Sequence, residues 1–512
     1  KMLRLLLVSA VVALSSAMTP WPLPKEFSNG TSTLMLSPNF HFECSADAHC
    51  APSACAAPVI QDAFTRFESM IRPSSAEGND LDTVSVCITT SDLELGPKTN
   101  ESYSLTISSN GAIEAASVYG ALYAMQSLFQ LVETTTSSGK IVSAEITNAP
   151  VSIVDSPRFS YRGLLVDSGR HFLPVSFLKR VIDGLAMSKL NVLHWHIVDR
   201  QSFACGSDKF PQLAEKGAFS YPVAAYSVAD MRALVQYGIS RGVRIMPEWD
   251  IPGHGAWGMG MPDLMACSDV LDPTKDSVYS FLVEFLSEMA TIFVDEYFFL
   301  GGDEVDVSCW DANPSVAAWL KQHNMTSAEL QQYFWTQVTN RVLQQIPNKT
   351  ISIWEADNMQ IDPGTLPVGS VANVYQSKET ANRTIGEYHM PTVLSIAGDQ
   401  WYLDSQCPGY NWKSWECRYV TEPSTPVTAG SPLLLGGESA MWGEGINKDN
   451  FDAYVWHGAA AVAERLWSVA ADTQELHPAR WRMSEHMCRM SKQGFRPGPI
   501  MPGYCASDSD NV

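Results

Sequence analysis

From about residue 156 onward, short apolar runs alternate with stretches whose apolar residues recur at helical spacing. The apolar runs are Tyr161–Val166, Val192–Val198, Val243–Trp249, Tyr297–Leu300, Thr350–Trp354, Val371–Tyr375, Thr392–Ile396 and Leu433–Gly437. Continuous apolar runs of this length are typical of buried parallel strands. Between the first two, Phe177, Val181 and Leu185 lie on one face of a predicted helix. Eight strands with intervening helices predict a (β/α)8 TIM barrel over residues 156–512, although no clear helix follows the fifth strand.

Residues 18–155 show a different pattern. Leu81–Thr89 and Ser102–Ser108 alternate like half-buried strands, whereas Val118, Leu122 and Met125 begin a helical repeat that continues to Val132. Prolines 150 and 157 punctuate the end of this segment. We therefore predict a small α/β domain that precedes the barrel.

Polar and aromatic side chains follow the predicted barrel strands at their carboxyl ends, which form the active-site face of such barrels. The fourth strand ends in Gly301-Gly302-Asp303-Glu304. Like charges this close resist ionising together, so one carboxyl can stay protonated beside an anionic neighbour. The other strand ends contribute further acidic, basic and aromatic residues: Asp199, His254, Trp354, Tyr375, Trp401, Tyr402, Asp404, Trp442 and Glu444. Aromatic faces beside carboxylates predict a sugar-binding site.

Composition and charge restrict the class of protein. Hydrophobic residues make up 45% and charged residues 17% of the 512 residues, which is ample material for a folded core. The formal net charge of −21 argues against a nucleic-acid partner, because no basic surplus is available for phosphates.

The first residues predict the compartment. Lys1 and Arg4 flank the apolar stretch Leu5–Leu14, and small residues follow it, so residues 1–17 are predicted to be a secretory signal peptide. No later apolar run is long enough to predict a membrane span. Glycosylation acceptors fit this route and occur at Asn29, Asn100, Asn324, Asn348 and Asn382.

Several motifs together resemble glycoside hydrolase family 20, and within it the eukaryotic lysosomal and secreted β-N-acetylhexosaminidases. They are Arg162–Asp167, His194–His196, Pro252–His254, Asp303-Glu304, Trp442–Glu444 and Ala461–Trp467. The resemblance runs from about Trp21 to Cys505. It implies retaining hydrolysis of a terminal β-linked N-acetylhexosamine, in which the substrate's own acetamido oxygen attacks the anomeric carbon. It also implies a glycan substrate, no cofactor, no metal, and a homodimer in the lysosome or outside the cell.

The resemblance assigns roles around the acidic turn. Glu304 would be the general acid and then the base, and Asp303 would hold the acetamido N–H. Asp199 and His254 would form a buried pair that orients Glu304. Arg162 would bind ring hydroxyls through its guanidinium.

The same resemblance implies the walls of the sugar pocket, built by three tryptophans: Trp354, Trp401 and Trp442. Tyr402 would donate to the acetamido oxygen, while Asp404 and Glu444 would accept from hydroxyls. Two positions depart from the family pattern. Tyr375 stands where tryptophan is usual, and Arg200 stands where vertebrate members have a second acid.

A substrate preference follows from the residues after Leu403. Among the animal enzymes that the chain resembles, the form restricted to neutral sugars has aspartate followed by an apolar residue there. The form that accepts charged substrates has asparagine followed by arginine. This chain has Asp404-Ser405. Since a carboxylate repels a sulfate and Ser405 supplies no cation, we expect a preference for neutral termini.

Eleven cysteines in an exported chain predict disulfides with one thiol left over. The family pattern implies three pairs: Cys55–Cys87, Cys267–Cys309 and Cys488–Cys505. Proximity in sequence suggests two more, Cys44–Cys50 and Cys407–Cys417, which leaves Cys205 unpaired.

Three alternatives compete with this interpretation. A metal-dependent amidohydrolase could use His194 and His196 as ligands on one side of a strand, but His254 is the only later histidine suitably placed. A sugar-binding protein without activity would not need the Asp303-Glu304 pair. A cyclic-dinucleotide cyclase also carries a Gly-Gly-Asp-Glu turn, but its nucleotide substrate is cytosolic.

Overall fold

The computed structural model describes residues 19–75, 78, 80–359, 361–397, 401–404, 415–503 and 505. The predicted signal peptide lies outside these residues. The strands are β1 (Glu26–Cys44), β2 (Leu81–Ile88), β3 (Tyr103–Ile107), β4 (Gly111–Ala115), β5 (Glu133–Ser137), β6 (Lys140–Asp155), β7 (Tyr161–Asp167), β8 (Val192–His196), β9 (Val198–Asp199), β10 (Ser202–Phe203), β11 (Arg244–Glu248), β12 (Tyr297–Phe299), β13 (Thr350–Trp354), β14 (Val371–Val374), β15 (Thr392–Leu394) and β16 (Leu434–Met441).

The α-helices are α1 (Pro52–Cys55), α2 (Pro58–Ile71), α3 (Val118–Leu131), α4 (Val175–Met187), α5 (Gln212–Gly217), α6 (Val228–Ile239), α7 (Trp257–Gly260), α8 (Asp276–Ala290), α9 (Ser308–Ala312), α10 (Pro314–His323), α11 (Ser327–Gln345), α12 (Ala356–Met359), α13 (Lys378–Gly386), α14 (Glu416–Val420), α15 (Phe451–Trp467) and α16 (Leu476–Lys492). The link after β13 contains only the short α12 and one 3-10 turn within its described residues, in agreement with the weak helical pattern there.

Eight parallel strands of the described chain close into a barrel, in the order β7, β8, β11, β12, β13, β14, β15, β16 and back to β7. Each begins within one residue of its predicted run, so the predicted (β/α)8 TIM barrel is confirmed. The apolar faces of helices such as α4 and α8 pack against the outside of the strands in one continuous core. A separate, smaller cluster that includes Tyr161 and Phe299 fills the barrel interior. The barrel is therefore a packed scaffold whose carboxyl-terminal rim is free for a site.

The small domain before the barrel is built on a six-stranded mixed sheet with strand order β1-β2-β4-β3-β6-β5. Its long strands β1 and β6 pair with each other antiparallel and were not predicted from the sequence. Helix α3 is buried almost all round. A helix that is apolar on every side has no solvent face, and α3 accordingly lies between the sheet core and barrel residues such as Trp467 and Arg162.

Arg162 joins the two domains and does not reach the rim. Its side chain is fully buried near the start of β7, where two guanidinium nitrogens bond Glu101 at 2.8 and 3.0 Å. The remaining donors reach the Lys189 and Phe159 carbonyls and the Tyr123 hydroxyl. The expected role of Arg162 in binding sugar hydroxyls is therefore wrong, because the amino-terminal end of a barrel strand faces away from the active site.

A second buried ion pair lies beside the first. Lys189 Nζ is 2.8 Å from Asp155 Oδ2, and both side chains are fully buried. The indole of Trp467 donates to the same Asp155 carboxylate and lies against both cations, Lys189 and Arg162. Two compensated charges thus fix how the small domain sits on the barrel.

The disulfides agree with the sequence prediction in part. Cys267–Cys309 and Cys488–Cys505 form as expected, and Cys205 is a buried free thiol. The small domain instead pairs Cys44 with Cys55 and Cys50 with Cys87, so the predicted Cys55–Cys87 and Cys44–Cys50 bonds are wrong. Helix α1 carries Cys55 next to the end of β1, which puts it beside Cys44. Cys407 of the proposed Cys407–Cys417 pair lies outside the described residues.

Two further expectations concern membrane spans and glycosylation. Within the described chain, no helix combines the length and apolar character needed to cross a bilayer. Four of the glycosylation acceptors are exposed, at Asn29, Asn100, Asn324 and Asn348, whereas Asn382 is half-buried and accepts a hydrogen bond from Thr425. Glycosylation at these asparagines stays a prediction.

Because the ion pair between Arg162 and Glu101 joins the two domains away from the rim, its loss should lower stability and leave the kinetics unchanged. Arg162→Met leaves Glu101 buried without its cation, so the free energy of unfolding should fall by about 3–5 kcal/mol, as measured by urea unfolding. The exposed pair between Arg341 and Asp276 gives the control, because Arg341→Met should cost less than about 1 kcal/mol. Below the unfolding transition the KM of Arg162→Met for substrate should be unchanged. A KM increase of about tenfold with unchanged stability would contradict the structural role.

Candidate active site

The acidic turn follows β12 and depends on two glycines. Gly301 and Gly302 have φ values of 66° and 103°, which side chains rarely tolerate. A Cβ on Gly301 would lie 2.1 Å from Asp250 Oδ1, and the Gly302 N–H donates to that same oxygen at 2.8 Å. The backbone therefore bends tightly against Asp250. Glu304 itself has a φ of 50°, and its side chain is on the exposed side of the bend.

Asp303 has the opposite environment. Its Oδ1 atom is buried and has no hydrogen-bond partner among the described residues. Burial raises the pKa of Asp303 well above the ordinary value, and the neighbouring carboxyl of Asp250 raises it further. Burial also raises the pKa of Asp250, to which the carboxylate of Glu248 contributes. Asp303 therefore shares its titration with Asp250, and the two carboxyls do not ionise together.

His254 pairs with Asp250, whereas the expected partner Asp199 lies elsewhere. His254 Nδ1 is 3.5 Å from Asp250 Oδ2, and an Arg200 guanidinium N–H donates to His254 Nε2. Asp199 instead accepts from His196 at 2.8 Å and pairs with Arg170 at 2.9 Å. The predicted Asp199–His254 pair is therefore wrong. Both residues still line the region around the turn, each with a different partner.

Two groups of side chains in the described chain bring possible metal ligands together. In one, atoms of Asp250, His254 and Asp303 lie within 4.8 Å of one another. Because Arg200 can only donate, His254 Nε2 carries the lone pair and Nδ1 carries the proton, so neither nitrogen is free to ligate. The other group contains His49 with Cys50 and Cys87, whose sulfurs form a disulfide. In both groups the histidine nitrogens or the sulfurs therefore already have protein partners.

Four rings near the turn pack against one another. Trp354 lies with its ring centroid 5.6 Å from Tyr375 and 6.1 Å from Trp442, and Tyr402 lies 5.9 Å from Trp442. Charges on Asp303 and Glu304 add to burial in raising the pKa of Tyr375, so this ring borders both carboxyls. We call Trp354, Tyr375, Tyr402 and Trp442 the aromatic wall.

Trp401 does not join the aromatic wall. It is 1% exposed and packs in the layer between the barrel strands and the outer helices, where a Cβ on Gly437 would lie 2.4 Å from its ring. Gly437 faces outward from β16, whereas its neighbour Glu438 faces inward. The expected place of Trp401 in the sugar pocket is therefore wrong. Tyr402, the next residue, points to the opposite side and contacts Trp442.

Arg170 is the cation that the sequence analysis missed. It lies three residues after β7, at the carboxyl-terminal rim, and it pairs with Asp167 at 2.9 Å, with Asp199 at 2.9 Å and with Glu444 at 3.2 Å. Its guanidinium lies 5.2 Å from the centroid of the Trp442 ring. Position relative to the strand would have identified it, since Arg162 is at the amino end of β7 and Arg170 follows the carboxyl end.

Below the rim, two histidines neutralise buried carboxylates inside the barrel. His194 contacts Glu438 at 3.0 Å and Glu248 at 3.2 Å, while His196 contacts Glu248 and Asp199. Burial alone would lower the pKa of each histidine. The neighbouring carboxylates instead raise the pKa of His194 to about 9 and that of His196 well above its usual range. Because every ring nitrogen of His194 and His196 contacts a carboxylate, their geometry fits buried ion pairs and not the zinc arrangement considered for them.

Two more predicted acids complete the rim. Glu444 follows β16 and is largely exposed apart from its contact with Arg170. Asp404 follows Tyr402, and Ser405 lies outside the described residues. Desolvation raises the pKa of Asp404 to about 6, with Glu444 contributing and Arg418 opposing. Asp404 and Glu444 therefore lie near enough to each other at the rim to interact.

Comparisons with known proteins agree with this geometry. The chain matches the family profile "glycosyl hydrolase family 20, catalytic domain" over residues 159–470 and the profile "beta-acetyl hexosaminidase like" over residues 20–131. It is 33% identical to beta-hexosaminidase subunit A1 of Dictyostelium discoideum, covering 96% of this chain and 92% of that protein. It is also 33% identical to the human beta-hexosaminidase subunit beta, with 95% and 89% covered.

Among solved structures, the chain resembles the family 20 exo-β-N-acetylglucosaminidase of Vibrio harveyi in complex with N-acetylglucosamine. The TM-score is 0.78 with 25% identity, covering 94% of this chain and 79% of that one. A catalytic-domain match over more than half of the chain and relatives at 33% identity lead to one conclusion. The chain belongs to glycosyl hydrolase family 20.

Proposed function

We propose that the protein is a retaining exo-β-N-acetylhexosaminidase that removes terminal, non-reducing β-linked N-acetylglucosamine or N-acetylgalactosamine. The observation that carries this proposal is the acidic turn, which puts an exposed carboxyl on Glu304 beside a half-buried one on Asp303, whose Oδ1 atom is withdrawn from solvent. Both border the aromatic wall, which suits the apolar face of a pyranose. The relatives named above are hexosaminidases, which supports the same activity.

Glu304 is the proposed general acid and base. Its exposed position on the bend leaves it free to reach the oxygen of the bond to be cleaved. It would protonate that oxygen as the bond breaks, and the resulting carboxylate would then take a proton from the attacking water. Two proton transfers by one carboxyl account for retention of configuration when an intermediate lies between them.

The proposed nucleophile is the substrate's own acetamido oxygen. Asp303 offers a buried acceptor atom, Oδ1, that has no hydrogen-bond partner among the described residues, which suits an acetamido N–H. As an oxazolinium forms, its positive charge favours the ionised form of Asp303 and offsets the repulsion from Asp250. Burial raises the pKa of Tyr402 well above its usual range, so its phenol stays a donor that can align the acetamido oxygen.

Arg170 takes the role that the sequence had given to Arg162. Its contacts with Glu444 and Trp442 place a guanidinium and a carboxylate together at the wall of the pocket. Such a pair can donate to one ring hydroxyl and accept from the next. Together with Asp404, which lies near enough to interact with both, this pair would hold the outer hydroxyls of a terminal sugar.

The proposal also covers the glycan substrate, the cellular compartment and the oligomeric state of the protein. The described disulfides suit a chain that folds in an oxidising compartment, as does the predicted signal peptide. We propose that the protein acts in the lysosome or outside the cell. A homodimer rests on the family resemblance, and light scattering with size-exclusion chromatography would test it.

The first test is the acid. Purified protein should hydrolyse aryl N-acetyl-β-glucosaminide and the galactosamine epimer, and Glu304→Gln should lower kcat/KM by about 10²–10⁴-fold. The loss should be smaller for a leaving group that needs no proton. Asp306→Asn is the matched control, because Asp306 is on the same turn and its amide would still accept from the Ser308 N–H. Equal losses on good and poor leaving groups would remove Glu304 from this role, and binding without turnover would indicate a sugar-binding protein.

The second test concerns the nucleophile. Substrates with mono-, di- and trifluorinated N-acetyl groups should be cleaved progressively more slowly, since fluorine withdraws electrons from the attacking carbonyl. A stable thiazoline mimic of the intermediate should bind at least about 10²-fold tighter than substrate. Rates should be measured with one leaving group throughout. A covalent sugar ester on Asp303, detected by mass spectrometry after trapping, would overturn the mechanism.

The third test is charge selectivity and its dependence on pH. Because Asp404 has a pKa of about 6, it is neutral in more acidic solution and anionic above. A charge about 4 Å from a 6-sulfate contributes up to roughly 4 kcal/mol of repulsion before salt screening. The preference in kcat/KM for neutral over 6-sulfated substrate should therefore rise, by about tenfold or more, between pH ~5 and pH ~7.

Two variants sharpen this test. Asp404→Asn should give a smaller preference for neutral over 6-sulfated substrate, and this preference should no longer change with pH. Adding Ser405→Arg should reduce the preference further. Asp449→Asn removes an exposed acid that pairs with its neighbour Lys448, and it should leave the preference unchanged. If the unmodified protein cleaves sulfated and neutral substrates equally at all pH values, the charge argument is wrong.

A further inference from the structure

A cavity of about 170 Å³ lies between the small domain and the barrel, lined by none of the residues of the active site. Helices α2 and α3 of the small domain form one side, and α4 with the segment after α16 forms the other. Most of its lining is apolar, including Phe67, Phe129 and Phe495. An apolar cavity of about 150 Å³ is large enough to hold benzene. The space therefore suits a body the size of one aromatic ring.

Three arginines line this cavity, and two of them have carboxylate partners. Arg241 Nε bonds Asp183 at 2.8 Å, and Arg180 pairs with Asp452 and donates to the Gly494 carbonyl. The guanidinium groups of Arg241 and Arg180 therefore hold helices together. Arg66, the third arginine, differs from these two.

Arg66 on α2 has no carboxylate partner among the described residues. Its single hydrogen bond, from NH1 to the Ser240 carbonyl, is long at 3.5 Å, although the side chain is more than half withdrawn from solvent. Its guanidinium lies 5.0 Å from the Phe67 ring. Burial, with the nearby cation of Arg241, lowers the pKa of Arg66 to about 10. An anion beside Arg66 would relieve this repulsion and use donors that are otherwise nearly idle.

A second donor without a partner among the described residues lines the same cavity from the neighbouring helix, α3. Gln126 on α3 is 6% exposed, and its Nε2 atom has no hydrogen-bond partner among the described residues. A buried amide without a partner costs free energy that a ligand acceptor would recover. Arg66 and Gln126 therefore both have donors available for acceptor oxygens, in a cavity whose lining is mostly apolar.

From this arrangement we infer a second binding site, for a small organic monoanion with a carboxylate head and an apolar body of about one ring. The carboxylate accepts from Arg66 and from Gln126, and the ring packs among the phenylalanines. One negative charge matches the lining, since Asp183 and Asp452 already offset two of the three arginines. Because α2 and α3 belong to one domain and α4 to the other, the bound anion stabilises their association.

Benzoate is the probe for this site. Isothermal titration calorimetry should give a Kd on the order of 1 mM, and benzamide, which has the same shape without the charge, should bind at least about tenfold more weakly. Benzoate should also raise the unfolding temperature of the full chain by about 1–4 °C at concentrations well above Kd. Hydrolysis of an aryl substrate should be unaffected at the same concentrations.

Matched variants locate the binding. Arg66→Gln should weaken benzoate binding by about tenfold or more, whereas Arg66→Lys should keep most of it. Gln126→Leu should weaken it by a smaller factor. Arg72→Gln is the control, because Arg72 ends the same helix and its guanidinium pairs with Glu68 outside the cavity. The inference fails if benzoate does not bind, if it binds Arg66→Gln as tightly as the unmodified protein, or if it inhibits hydrolysis competitively.

Discussion

The bend of the chain against Asp250 is the constraint on which the site depends. The Gly302 N–H donates to Asp250, and the absence of a side chain at Gly301 lets the backbone approach that carboxyl. This contact ties the loop after β11 to the turn after β12. At this bend the side chains of Asp303 and Glu304 diverge, so Asp303 is half-buried and Glu304 is exposed. A side chain at Gly301 would push the turn away from Asp250 and move the carboxyls of Asp303 and Glu304 out of their present positions.

The charges around this turn are unevenly compensated, and the imbalance has a chemical meaning. Lower in the barrel, Glu248 and Glu438 face His194, and Asp199 faces His196 and Arg170. Among the described residues, Asp303 and Asp250 lie together beside His254, which Arg200 also contacts. Burial and mutual repulsion raise the pKa of both carboxyls, so this pair can gain negative charge where the acetamido group is proposed to become cationic. A site prepared in this way stabilises positive charge without having to rearrange when it forms.

The sequence predicted the barrel well because buried parallel strands leave a clear signature. All eight apolar runs became strands, since a strand covered on both faces has little choice of residue. The long strands β1 and β6 carry mixed polar sequences, so no such signal marked them. Arg162 and Trp401 failed for another reason. A motif gives the residue type at a position along the strand, but the end of the strand and the face of the sheet decide what the side chain meets. The predicted pairings of Cys44 and Cys55 failed similarly, because α1 brings Cys55 back beside Cys44 and this contact is not visible in the sequence.

Arg162 and Arg170 lie at opposite ends of β7, and they show that one end of a barrel strand serves stability while the other serves the active site. Arg162 at the amino end is fully enclosed, with every contact to protein groups, so it has no capacity left for a ligand. Arg170 beyond the carboxyl end is held by Asp167 and Asp199 but keeps a partly exposed edge against Glu444 and Trp442. Its anchors fix the guanidinium in place before a sugar arrives, and binding then pays little ordering entropy. The same residue type thus serves two functions because one end of the strand meets the small domain and the other meets solvent.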